Sequence, residues 1–225
     1  MSITGRYRTL ADLPESLPVF PLQGCILLPR STLPLNVFEP RYLSMVDDIV
    51  ADNRIVGIVQ PLGAQEESPP SKGHPLRQTG CAGRLSAFSE TEDGRVLITL
   101  TGICRFDIIG EIRTAKPYRI CDVNFSPYVN DLVRGHGQNS VDWTRFLQVL
   151  KAYLEARKLT ADWDSIQRSP TEVLINTLSM ISPYGPEEKQ ALLEARDLRA
   201  RSEILMALAE MEIAAPDSGA GSSLH

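Results

Sequence analysis

The apolar residues of this chain change period once, and that change constrains the fold more than any other feature. Through the first half they fall in short runs, several of them with period-2 alternation, and Pro and Gly interrupt them repeatedly. Beyond Asn139 they recur at helical spacing: Trp143, Phe146, Leu147, Leu150, Tyr153 and Leu154 form one stripe. A period of 2 marks half-buried strands and a period near 3.6 marks amphipathic helices. The chain is therefore expected to be α+β, with a β-rich unit over residues 17–128, a linker over 129–139 and a helical bundle over 140–213. Residues 1–16 read as an N-terminal extension and residues 214–225 as a disordered tail without an apolar pattern.

Within the first half, Leu17–Leu22, Leu33–Phe38, Arg54–Leu62, Cys81–Thr91, Arg95–Ile112 and Tyr118–Tyr128 read as strands. Pro18, Pro21, Pro29 and Pro34 place several of them at edges, bulges and turns. Asp93-Gly94 between two apolar runs predicts a hairpin, and Gly102 and Gly110 mark places where the sheet bends. Both faces of the strand after that turn are partly apolar. One helix is predicted inside this unit, opening at Pro40 and carrying Leu43, Val46, Ile49 and Val50. Gly63–Gln78 reads as a polar loop.

In the second half, Ser169-Pro170-Thr171-Glu172 predicts a capping box ahead of a helix bearing Leu174, Ile175, Leu178 and Ile181. Pro186-Glu187-Glu188 opens another helix, on which Lys189 and Gln190 are expected to face solvent. Asp162 and Asp197 are candidate helix caps.

Several chemistries are excluded by what the residues lack. No phosphate loop, dinucleotide fingerprint, zinc-protease or nucleophile-elbow motif occurs. Cys25, Cys81, Cys104 and Cys121 form no C-x-x-C pair and read as buried thiols. His74, His136 and His225 lie in loops or at the end, which hold a catalytic base poorly. The chain is thus expected to be no enzyme and to use no cofactor or metal. Net charge is −5, with 13 basic and 14 acidic residues up to Ser126 and 10 and 14 beyond it. That balance argues against nucleic acid, which needs a basic excess. No apolar run approaches a membrane span, and a cytoplasmic location is expected.

The motifs also carry a resemblance. Leu17–Leu22 (LPVFPL), Pro34–Tyr42 (PLNVFEPRY), Thr79–Gly83 (TGCAG), the Asp93-Gly94-Arg95 hairpin followed by LITLTGICRFDI, and Pro186–Glu194 (PEEKQALLE) occur in order over about residues 17–210. Together they resemble the substrate-binding domain at the N-terminus of the Lon ATP-dependent protease. The resemblance implies a PUA-like β-barrel lobe followed by a helical bundle. It also implies recognition of unfolded or partly unfolded polypeptides, or of a specific protein partner, by a stand-alone bacterial module without ATPase or peptidase parts. An RNA-binding PUA-like protein and a structural or regulatory interaction module are the rival readings.

Phe38, Glu39, Arg41 and Tyr42 form a candidate peptide anchor, because aromatic residues and Arg dominate binding hot spots. The alternative is a structural corner, with Phe38 and Tyr42 packed on the barrel and Glu39 and Arg41 paired. Tyr118, Tyr128 and Tyr184 are candidates for lining a groove between the two halves. Arg105 and Phe106 read as structural.

Overall fold

The computed structural model describes residues 7–63 and 74–214. Most of the Gly63–Gln78 loop, the start of the expected N-terminal extension and residues 215–225 of the expected tail lie outside the described residues.

Six strands form one sheet: β1 (Ser16–Pro21), β2 (Thr32–Val37), β3 (Ile55–Val59), β4 (Thr79–Glu90), β5 (Val96–Ile112) and β6 (Arg119–Asn124). Their order is β2-β5-β4-β3-β1-β6, and β6 pairs again with β5. The pairings β1–β3–β4–β5–β6–β1 therefore run round a ring; β1–β3 is parallel and the rest are antiparallel.

The ring depends on the length of β5, which has 17 residues. Its first part, Val96–Thr101, pairs with β2, and its last part, Asp107–Ile112, pairs with β6. One long strand thus serves two neighbours on one edge, and it must bend between them. The bend falls at Gly102, beside a register shift that leaves Ile103 without a partner on β4. Gly102 N–H donates to Ser31 O at 2.9 Å, and Gly102 O accepts from Arg30 N–H at 2.8 Å. A Cβ on Gly102 would lie 2.1 Å from the Leu28 carbonyl oxygen. A second irregularity at Ile108/Gly110 leaves Ile109 unpaired and exposed. Both glycines stand where the sequence predicted bends. The Asp93-Gly94 turn is likewise present, with Gly94 at φ +77°.

Pro34 lies on β2, the end strand of the sheet, as proline requires. Pro18 lies inside β1 and faces Ile120 of β6; the ladder to β3 starts only at Val19. Alternate residues of the ring strands form one buried cluster around Phe106, including Leu17, Val19, Ile55, Val59, Cys104, Cys121 and Val123. All four cysteines are free thiols, three of them buried.

The helices are α1 (Pro40–Ala51), α2 (Trp143–Ala156), α3 (Trp163–Arg168), α4 (Thr171–Ile181), α5 (Pro186–Glu194) and α6 (Leu198–Ala214). Pro40 opens α1, which buries Tyr42, Met45, Val46 and Ile49. Asp162 caps α3 through Ser165 N–H at 3.1 Å, and Asp197 caps α6 through Ala200 N–H at 2.7 Å. A single buried cluster joins Phe20, Leu27 and Tyr42 of the strand-rich half to Phe146, Ile175, Leu192 and Leu205 of the helical half.

Three readings of the helical half are corrected. No capping box forms at Ser169. Its hydroxyl donates to Ser165 O at 2.8 Å, while Glu172 is buried, paired with Arg30 and accepting from Gly135 N–H at 2.9 Å. A tertiary guanidinium outcompetes the local backbone for this carboxylate. Ile181 does not join the buried stripe of α4 but stands 69% exposed at the helix end. Lys189 and Gln190 face the interior, being 3% and 1% exposed. Lys189 Nζ donates to the Ser179 and Met180 carbonyls at the end of α4, where a cation meets unpaired carbonyls.

Gly102→Ala is expected to destabilise the protein by at least about 1–3 kcal/mol through overpacking against Leu28. Gly110→Ala, with open space around it, is expected to stay within about 0.5 kcal/mol of the parent. Urea denaturation of the two variants checks the contrast.

Candidate functional site

Two kinds of surface compete for a functional reading: the polar seam between strands and helices, and the apolar residues left in solvent. The seam is dense with bonds. Arg105 on β5 donates through Nε and Nη2 to the two Asp131 oxygens at 2.8 and 2.9 Å, and through Nη1 to the Leu193 and Ala195 carbonyls at the end of α5. Asp131 also accepts from the Arg105 backbone N–H at 3.0 Å. Burial works against the Arg105 charge, yet the hydrogen bonds it donates to the Asp131 carboxylate raise its pKa above the ordinary arginine value. Asp131 is held in the 3-10 turn Ser126–Leu132, so part of the stretch read as a linker packs into the seam.

Around this pair, Arg30 donates to Asp131 O at 2.6 Å and pairs with Glu172. Arg201 donates to Leu192 O and to Asn176 Oδ1, both at 2.9 Å, and Asn176 donates to Pro29 O at 3.1 Å. Burial and the neighbouring Arg105 charge pull the Arg201 pKa down to about 10. Gln60 accepts from Gly24 N–H at 2.8 Å and donates to Pro186 O at 2.9 Å and to Gln190 Oε1 at 3.0 Å. Apart from Arg30 Nε and Arg201 Nη2, which are buried without a partner, these groups spend their hydrogen-bonding capacity on one another and on helix ends. The seam is a fastening, with few donors or acceptors left for a ligand.

The seven candidate residues do not converge. Tyr128 reaches the seam, with its ring under Arg105 at 4.6 Å and its hydroxyl donating to Asp107 Oδ1 at 3.0 Å. Tyr118 is buried and donates to Asp48 on α1 at 2.6 Å. Tyr184 lies in the helical half, lining a recess between α2, α4 and α6. Tyr42, on α1, is buried, its ring 4.2 Å from that of Phe20 and with the Arg41 guanidinium 4.6 Å above it. Glu39 and Arg41 pair at 2.8 Å in solvent. Phe38, by contrast, is 63% exposed.

Phe38 directly follows Val37, which pairs with Val96, the neighbour of Leu97. Leu97 and Phe88 are each 48% exposed. With Pro34, Leu35, Asn36, Ala87, Ser89, Ile98 and Thr99 they line a shallow groove of about 480 Å³ across the tip of β2, β5 and β4. Sequence reasoning singled out Phe38 and passed over Phe88 and Leu97. The available signal was Leu97, an apolar residue on the outward phase of a strand whose inward phase was already apolar.

Comparison with known proteins gives this arrangement its context. The family model described as the ATP-dependent protease La (LON) substrate-binding domain matches residues 16–210. The Lon protease of Flavobacterium johnsoniae is 26% identical over 200 residues, covering 85% of this chain and 23% of its own length. Lon protease 2 of Myxococcus xanthus is 24% identical over 208 residues, covering 88% and 24% respectively. The chain thus spans about a quarter of the length of these relatives. Among solved structures, a Lon N-terminal domain protein from Xanthomonas campestris superposes with a TM-score of 0.60 at 21% identity, over 85% of this chain and 97% of that one. The N-terminal domain of Mycobacterium avium complex Lon protease gives 0.62 at 18% identity, over 87% and 98%. These two share the fold: a mixed sheet followed by helices. The family match reaches from the first strand into the last helix, and the chain belongs to the LON substrate-binding domain family.

Proposed function

We propose that this chain is a cytoplasmic, non-enzymatic module that binds unfolded or partly unfolded polypeptides, and that the barrel tip bearing Phe38 is its contact surface. The observation that carries the reading is Phe38, an aromatic side chain 63% exposed at the strand-to-helix corner. Such exposure forfeits apolar burial unless a partner restores it. The groove lined by Phe88, Leu97 and Pro34 extends that apolar surface, and the paired Glu39 and Arg41 give it a polar rim. This anatomy, an apolar centre with a polar edge, is that of protein-binding patches. The family description supports polypeptides as the substrate class, since the matched family is a protease substrate-binding domain. In this reading Tyr42 and Tyr118 support the corner from below, and Tyr128 belongs to the seam.

The test is fluorescence anisotropy of a labelled, permanently unfolded polypeptide titrated with the protein, beside a folded control. Saturable binding of the unfolded chain alone is expected, and Phe38→Ala is expected to weaken it about tenfold, or ~1.4 kcal/mol. The melting temperature should stay unchanged, because the ring is exposed. Equal binding of folded and unfolded ligands, or full affinity in Phe38→Ala, contradicts the reading.

A further inference from the structure

The helical half carries a second apolar feature that the barrel tip does not explain. A recess of about 60 Å³ opens between α2, α4 and α6, with Phe146, Leu150, Leu178, Leu205, Met206 and Ala209 among its walls. Its mouth holds Ser182 and Tyr184. Two exposed apolar residues lie nearby in the chain: Ile181, three positions beyond the lining residue Leu178, and Ile213, one turn beyond Ala209 on α6. Ion pairs flank it, Arg157–Glu212 and Arg145–Glu210, so each nearby charge already has its opposite. Among the described residues the Tyr184 hydroxyl makes no hydrogen bond.

We propose that this recess is a subsite for one aliphatic side chain, of Val or Leu size, from an extended unfolded polypeptide. The proposal rests on the polypeptide-binding reading and adds a second point of contact to it. Three observations select the occupant. The walls are apolar and their flanking charges are paired, which favours a neutral hydrocarbon group over an ionic one. The volume, about 60 Å³, is well below the ~150 Å³ of a cavity that admits a benzene ring. That size favours a branched aliphatic group over an aromatic ring or a long acyl chain. The unpartnered Tyr184 hydroxyl at the mouth offers a hydrogen bond to the backbone that carries such a side chain.

Met206 makes the recess observable. The full chain, labelled with 13C at its methionine methyls, is titrated with a Gly/Ser peptide bearing a single central Leu, and separately with the same peptide bearing Ala or Phe. The Met206 methyl resonance is expected to shift with the Leu peptide alone, while that of Met45, wholly buried in the core, stays fixed. Ala209→Leu fills the recess from α6; it should abolish the Met206 response and weaken binding of a long unfolded polypeptide at least threefold. Tyr184→Phe, which keeps the ring, should weaken it less. A still Met206 at concentrations where the unfolded polypeptide saturates overturns the subsite, as does unchanged affinity in Ala209→Leu with Met45 at its native position. If the long polypeptide binds and responds to Phe38→Ala while Met206 is silent, only the subsite fails. If no unfolded polypeptide binds at all, both readings fail.

Discussion

The bidentate pair between Arg105 and Asp131 fixes the rest of the molecule, because Arg105 simultaneously holds the end of α5. Three pieces of chain meet at one guanidinium: the middle of β5, the 3-10 turn after β6, and the last carbonyls of α5. Taking this pair out of water carries a desolvation penalty of several kcal/mol per ion, which only near-complete hydrogen bonding offsets. That condition is met here, so the geometry has little freedom. Removing one partner would leave the other charged and buried, a change that typically costs about 3–5 kcal/mol. The surrounding cations follow the same logic. Lys189, Arg201 and Arg105 are each directed at carbonyls near a helix end, where the partial negative charge of the helix meets them.

This fastening explains the division of labour across the surface. Polar groups at the seam are consumed in holding strands to helices, and the buried cluster shared by both halves reinforces them. Apolar side chains remain in solvent elsewhere: at the corner after β2, at the tip of β4 and β5, and at the open end of the helical bundle. Under the proposed function, presentation on strands and helices leaves the ordering entropy of binding mainly to the ligand.

The sequence made much of this legible. The change of period separated strands from helices, Asp93-Gly94 marked its hairpin, and Gly102 and Gly110 marked the bends of β5. The FEPRY corner was placed, with Glu39 and Arg41 paired as expected of a structural corner. The same picture had Phe38 packed on the barrel, yet it is exposed. What stayed hidden were long-range polar partners. Glu172 matched a local cap by spacing, and nothing in sequence showed that Arg30, 142 positions earlier, would claim it. Lys189 and Gln190 followed a helix-start pattern that normally faces water; their burial depends on two carbonyls of α4 and on Gln60. The tyrosines could be counted but not located, because a half-buried ring looks the same in sequence wherever it sits.

The most direct measurement of the account is amide hydrogen exchange of the full chain with and without a saturating unfolded polypeptide. The seam amides, such as those of Arg105 and Leu193, are expected to exchange slowly in both states. Added protection should fall at residues 34–41 and 87–99, around the tip of β2, β4 and β5. Protection centred on the Tyr118 and Tyr128 segments, or seam amides that exchange fast in the free protein, would contradict it.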